Sequence, residues 1–194
     1  YLDKLDDSAR EIGAVNTVVN DGGVLTGYNT DYMGAIRALE TITDLNGKRI
    51  AIIGAGGAGK AVTWGLKKVT SDIRIFNIFE DEGQRAADQF GVTYAGKPEL
   101  LDSQTDYDIL INCTSVGFKT TDTVLTRERF KPGSIVLDAV FIPIETTFVK
   151  EARAAGCTAI EGYKMLLYQA CGQFELYTGV SAPFEIMEKA MIEY

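Results

Sequence analysis

Apolar positions recur along this chain at two different spacings. Over residues 2–12, Leu2, Leu5, Ala9 and Ile12 fall three or four apart, which predicts a short amphipathic helix. Residues 14–20 and 24–29 read instead as extended runs, separated by Asp21-Gly22-Gly23. Glycine supplies the positive φ that a tight turn needs, so this pair predicts a hairpin. Thr30-Asp31 then open a helix that runs to about Ile42, with Thr30 placed to cap it and Tyr32, Ile36 and Leu39 on one face. Asn46-Gly47 ends this first module.

From Lys48 the rhythm changes. Strand-like runs at 49–53, 73–77, 108–112, 134–140 and 157–160, with a shorter one at 92–94, alternate with helical patterns near 58–68, 81–90 and 145–155. Continuous apolar strands separated by helices predict a parallel sheet covered on both faces. Two more helical patterns, at about 163–177 and 183–193, have no strand between them and are expected to pack outside the sheet order. The expected fold is α/β, a Rossmann-like doubly wound parallel sheet with a separate hairpin module before it. The division that follows is 1–45, 46–161 and 162–194.

Composition narrows the chemistry. The chain has 194 residues, 46% of them hydrophobic and 24% charged, which argues against disorder, collagen and coiled coil. No apolar run approaches the ~18 residues of a membrane span. Nineteen Lys and Arg face 27 Asp and Glu, a net charge of −8, so no nucleic-acid partner is expected, because phosphates need a basic face. Histidine is absent, which removes the commonest general base and most zinc sites; no metal centre is expected. Cys113, Cys157 and Cys171 are scattered, odd in number and form no CxxC, consistent with a reducing compartment and a cytoplasmic location. The acidic opening has no signal-peptide pattern and no initiator Met, and is expected to belong to a longer polypeptide.

The run 49–53 leads into Gly54-Ala55-Gly56-Gly57-Ala58-Gly59 and then a helix. In GxGxxG the first glycine makes the turn, the second lets backbone approach a pyrophosphate, and the third allows close helix–strand packing. A strand before and a helix after are the context this motif requires, so dinucleotide binding is expected. It is not a P-loop, since Ala61 follows Lys60 where Ser or Thr is needed. An acid about 20 residues on binds the adenosine ribose, whereas an Arg there accepts a 2′-phosphate. The chain reads Phe76-Asn77-Ile78-Phe79-Glu80-Asp81, so Glu80 is either that ribose acceptor or an acid complementing a helix dipole. Arg85 and Lys60 are the nearest candidates for a phosphate.

Further polar residues interrupt apolar stretches. Asn16-Thr17 and Asn29-Thr30-Asp31 sit on the two arms of the hairpin. Asn16 offers an amide that both donates and accepts, suited to a polyhydroxy ligand, or is a satisfied turn asparagine. Asp31 either exchanges a proton with a substrate hydroxyl or is an ordinary acid at a helix start. Gln169 lies in the apolar helical stretch Tyr163-Lys164-Met165-Leu166-Leu167-Tyr168 and faces either solvent or a ligand. Cys113 follows a strand, and without histidine to activate it the structural reading prevails.

As an ordered set, these motifs resemble the shikimate dehydrogenase family. The set is Gly13-Ala14-Val15-Asn16-Thr17, Gly27-Tyr28-Asn29-Thr30-Asp31, the glycine loop, Asn112-Cys113-Thr114-Ser115-Val116-Gly117, Gly162 with Met165-Leu166 and Gln169-Ala170, and Gln173-Phe174-Glu175-Leu176-Tyr177. The resemblance runs through essentially the whole chain. It implies reduction of 3-dehydroshikimate to shikimate with NADP or NAD, in a cleft between a Rossmann domain and an N-terminal substrate domain. The hairpin module would then be a remnant of that substrate domain, and the last helices would return to it. By resemblance Asp31 is the catalytic carboxylate, and Asn16, Asp31 and Gln169 hold the substrate. Gly54, Ala55, Gly56, Gly57, Ala58, Asn77, Glu80 and Gly162 would meet the cofactor, with Thr114, Val116 and Gly117 by its nicotinamide.

Departures from the family pattern set further expectations. The family's catalytic lysine lies in a Pro-Phe-Lys-type segment upstream of Gly13, and this chain has none. The chain is therefore expected to be the cofactor-binding portion and inactive alone. The Asn-Arg-Thr usual after the second strand is Asn77-Ile78-Phe79, which with Glu80 leans toward NAD. A Tyr-Asn-Pro pattern is replaced by Phe141-Ile142-Pro143. An alternative is a non-catalytic sensor or regulator on the same fold, and a methylenetetrahydrofolate dehydrogenase fits the motifs least well. Uncovered apolar surface on the hairpin is expected to drive self-association.

Overall fold

A computed structural model describes residues 2–192. The chain starts with a short strand, β1 (Lys4–Leu5), and only then a helix, α1 (Asp7–Ile12). The single helix expected over 2–12 is thus split. Asp6 caps α1 by accepting from the Ser8 N–H at 3.0 Å, and Leu5 pairs with Gly27. The hairpin follows as β2 (Thr17–Asp21) and β3 (Val24–Tyr28), and β1 lies parallel to β3 on its other side. Gly22 and Gly23 take φ of 58° and 94° at the turn, and the Asn20 carboxamide oxygen accepts from the Gly23 N–H. Next comes α2 (Asp31–Glu40).

The second part alternates strand and helix. Its elements are β4 (Ile50–Ile53), α3 (Gly57–Leu66), β5 (Ile73–Phe76), α4 (Glu80–Phe90), β6 (Thr93–Gly96), β7 (Ile109–Asn112), β8 (Ile135–Asp138), α5 (Thr147–Ala154) and β9 (Thr158–Ile160). The six strands form one parallel sheet in the order β6-β5-β4-β7-β8-β9. The chain runs outward from β4 in one direction and then returns to build the other half. That makes a doubly wound sheet with its topological switch between β4 and β7, at whose carboxyl ends such folds place their ligands. Helices α6 (Gly162–Thr178) and α7 (Phe184–Ile192) follow without a strand between them. The expected end of the last helix at Glu193 lies outside the described residues.

Alternation along each strand feeds two cores. On one face Ile50, Ile52, Ile109 and Ile111 pack with Ala35 and Leu39 of α2, Val62 and Leu66 of α3, and Met165 of α6. On the other, Ala51, Ile53, Leu110 and Val136 pack with Phe130 and Phe148. Helix α2 therefore shares a core with the sheet and with α6. It approaches α6 so closely that a Cβ on Gly34 would stand 2.5 Å from the Met165 carbonyl oxygen. At the module's other end the Trp64 indole N–H donates to Glu11 at 2.6 Å, and the Gln89 amide donates to the Glu11 carbonyl at 2.7 Å. These contacts hold the hairpin module against α3 and α4. Among the described residues no helix is long and apolar enough to cross a membrane.

Candidate active site

The polar residues of the hairpin and of α6 converge. The Asn16 amide nitrogen donates to an Asp31 carboxylate oxygen at 2.7 Å and to the Thr30 hydroxyl at 3.0 Å, and stands 3.4 Å from the Gln169 side-chain oxygen. The Asn16 oxygen accepts from the Thr30 N–H at 3.0 Å and from the Thr17 hydroxyl at 2.7 Å. Every hydrogen-bonding atom of this amide is engaged, so its orientation is determined by the fold. Thr30 does not cap α2 with its hydroxyl, which donates to Gln169 at 3.2 Å. The cap comes from Asn29, whose oxygen accepts from the Asp31 N–H at 3.0 Å while its nitrogen donates to the Ala14 carbonyl. Gln173, one turn beyond Gln169, donates to the Thr17 hydroxyl at 3.1 Å.

Asp31 is half-buried, and that burial raises its pKa against the opposing pull of the Asn16 amide. Among the described residues no cation figures in that balance. A carboxyl held by one amide, with raised proton affinity, is suited to exchanging a proton with a hydroxyl placed against it.

The glycine loop occupies the switch point. Gly54 has φ 104°, a conformation L residues rarely adopt, and a Cβ there would meet Cys113 and Thr114 at 3.1 Å. A Cβ on Gly59 would lie 2.0 Å from the Gly54 carbonyl oxygen, so the first turn of helix α3 must carry glycine at that point. By contrast, open space surrounds a Cβ built on Gly56. The N–H groups of the first turn of α3 thus face an open cradle, which Ala55, Gly56 and Gly57 line together with Ala14, Lys60, Glu82 and Arg85 in a cleft of about 300 Å³. Such a cradle fits a pyrophosphate. Ala14 stands 3.8 Å from the Cβ position of Gly57 and two residues before Asn16, so the cradle and the polar cluster adjoin.

The other residues expected at the cofactor have varied surroundings. Asn77 is buried, its oxygen accepting from the Ala55 N–H at 3.1 Å and its nitrogen donating to the Phe79 carbonyl at 2.8 Å. It shapes the glycine loop from behind. Glu80 is the exposed first residue of α4. Ala58 is in the first turn of α3, and Gly162 starts α6, where a Cβ would press to 2.2 Å from the Val140 carbonyl oxygen. Thr114, Val116 and Gly117 form the loop after β7. Thr114 bonds through its N–H and hydroxyl to the Asn112 oxygen, and its hydroxyl accepts from the Val116 N–H at 3.2 Å.

Beneath that loop is a buried network that periodicity does not anticipate. The Asn112 amide donates to Asp138 at 2.9 Å, and Asp138 also accepts from the Val140 N–H at 3.1 Å and the Thr146 hydroxyl at 2.6 Å. The signal in the sequence is a polar residue closing each of two apolar strands, Asn112 and Asp138. Burial raises the Asp138 pKa while these three donors oppose the shift. Cys113 is buried between the halves; desolvation first, then the charges of Asp138 and Asp31, push its thiol far above the usual range. It is not a nucleophile in this setting. Among the described residues no group of three or more Cys, Asp or Glu is arranged to hold a metal ion.

A doubly wound sheet with a glycine cradle at its switch point, adjoining a polar cluster on a separate module, defines a Rossmann-like α/β protein of the dinucleotide-binding class. Known proteins narrow this. Residues 162–192 match the family described as the shikimate 5′-dehydrogenase C-terminal domain. Shikimate dehydrogenase (NADP(+)) of Pyrococcus abyssi is 38% identical over 193 residues, covering 100% of this chain and 72% of that protein. The crystal structure of shikimate 5-dehydrogenase from Thermus thermophilus in complex with NADP(H) and shikimate superposes with a TM-score of 0.90 at 32% identity, covering 99% of this chain and 72% of that one. The Listeria monocytogenes shikimate 5-dehydrogenase in complex with shikimate and NAD gives 0.87 at 34%, covering 98% and 72%. This chain belongs to the shikimate dehydrogenase family.

Proposed function

We propose that this chain binds a nicotinamide dinucleotide at the glycine cradle and contributes to the NAD(P)-dependent reduction of 3-dehydroshikimate to shikimate. The observation that carries this reading is the convergence of Asn16, Asp31 and Gln169 beside the cradle. A nicotinamide cofactor, when bound, supplies hydride chemistry to a carbonyl carbon. The residues of this chain do the rest. Asn16 and Gln169 orient the hydroxyls of a polyhydroxy ring, and Asp31 exchanges a proton with one of them. The first turn of α3 and Lys60 hold the pyrophosphate. Thr114, Val116 and Gly117 wall the nicotinamide side.

We propose also that this 194-residue chain alone binds dinucleotide with little turnover. Among the described residues no cation acts on Asp31, and the resemblance places a lysine beside that carboxylate. The chain is best read as a hairpin remnant of a substrate domain at 1–45, a dinucleotide-binding part at 46–161 and returning helices at 162–194.

Calorimetric titration with shikimate in the presence of dinucleotide tests the reading. Binding is expected, and Asn16→Ala should weaken it about tenfold or more, as loss of one or two polar contacts does. A folded chain that binds dinucleotide but shows no affinity for shikimate or 3-dehydroshikimate overturns the assignment of substrate. Robust turnover by this chain alone overturns the proposal that it is incomplete.

A further inference from the structure

Resting on the dinucleotide reading above, we infer that the turn after β5 selects NAD over NADP, unlike the NADP(+) relatives this chain resembles. In doubly wound folds the adenosine ribose reaches the end of the strand next to the glycine loop. Here that strand is β5, and the turn leaving it is Asn77-Ile78-Phe79-Glu80. Asn77 is buried behind the glycine loop, with one hydrogen bond to backbone at each end of its side chain. What remains toward solvent is Ile78 and Phe79, 58% and 63% exposed, followed by the carboxylates Glu80, Asp81 and Glu82 in the first turn of α4.

These residues suit an adenosine with a free 2′-hydroxyl. Two exposed apolar side chains offer a seat for the adenine ring, and Glu80 offers an acceptor for ribose hydroxyls. A 2′-phosphate in the same place would carry nearly two negative charges toward three carboxylates. No Lys or Arg lies between Asn77 and Glu82. Two cations line the same cleft as Glu82, both outside that turn. Lys60 sits near the start of α3 beside the pyrophosphate cradle, and Arg85 lies one helical turn beyond Glu82, which lines the same cleft. The N–H groups at the start of α4 favour an anion, but Glu80, Asp81 and Glu82 already answer that dipole.

The experiment is calorimetric titration of the chain with NAD+ and with NADP+, at low and at high salt. NAD+ is expected to bind at least about tenfold tighter, equivalent to about 1.4 kcal/mol. The margin should narrow as salt screens the carboxylates, a response that a purely steric preference would not show. The double variant Ile78→Arg/Glu82→Arg alters two exposed side chains and should move the preference toward NADP+, with a small fall in thermal midpoint from the reversed charge at the start of α4. Glu80→Gln should weaken NAD+ binding, by loss of the ribose acceptor, and strengthen NADP+ binding, by loss of one of the opposing charges. Equal or tighter NADP+ binding by the unaltered chain overturns the selectivity while leaving the dinucleotide reading intact. A folded chain that binds neither overturns both.

Discussion

Asp31 shows how a residue's role depends on what surrounds it. At a helix start it is an unremarkable acid, and the linear chain leaves that reading open beside the catalytic one. In the fold, burial raises its pKa and one amide from fifteen positions earlier opposes the shift. The sign of the stability effect follows from this. The folded state holds the Asp31 proton more tightly than the unfolded chain, so stability falls as pH rises from the unfolded value near 3.8 through the raised folded value. Above both, the buried charge is a standing cost. Asp31→Asn should therefore match the parent in stability at pH ~3.5 and surpass it increasingly toward pH 7, while losing proton exchange with substrate. Urea denaturation of both proteins across that range checks this; a constant difference at every pH would remove burial of the charge from the account. Thr30 carries a different lesson. Its identity fits a cap, but with Asn29 supplying the cap its hydroxyl is drawn to Gln169.

At the level of elements, the four inner strands β5, β4, β7 and β8 are legible because a parallel sheet buried on both faces needs largely apolar runs, whereas the edge strands β6 and β9 are partly exposed. The first helix departs from its periodicity over its opening residues. Leu2 and Leu5 have helical spacing, but β3 offers an open edge, and pairing Leu5 with Gly27 satisfies backbone groups that one extra helical turn would leave to solvent. Helix α2 is the hinge between the two chemistries, since Asp31 starts it and Ala35 and Leu39 sit in the core with α3 and α6. Gly34 sets its closest approach. Gly34→Ala puts a methyl group against the Met165 backbone, which cannot swing aside as a side chain would. A loss of about 1–3 kcal/mol is expected, the usual cost of overpacking, together with weaker shikimate binding as Gln169 is pushed off Asn16. A thermal melt and a substrate titration check the pair; an unchanged melt would mean that α2 and α6 separate more freely than their contact implies.

Across the whole molecule the two parts differ in how well they are covered. The large sheet has helices over both cores, whereas the small one leaves Leu2, Leu5, Val15, Val18 and Val24 exposed around a hairpin whose β2 is paired only with β3 among the described residues. An open edge beside exposed apolar side chains favours pairing with another chain. Sedimentation velocity over a range of concentrations should show reversible association. A single monomeric species throughout would show that the uncovered hairpin is tolerated in water.

The alternation of strand and helix, the glycine loop and the identity of the polar residues are properties of the linear chain. These depend on local rules: side-chain periodicity, the φ open to glycine, and the backbone room that small residues leave. Which polar groups meet depends on long-range packing. Asn16 and Gln169 are 153 positions apart and are brought together because α6 returns to pack on α2. Asn77 and Asp138 turn inward because their neighbouring backbone groups lack other partners once buried, and an unpaired buried N–H or hydroxyl is too costly to leave. That requirement exists only when distant segments exclude water from one another, so no local pattern along the chain records it.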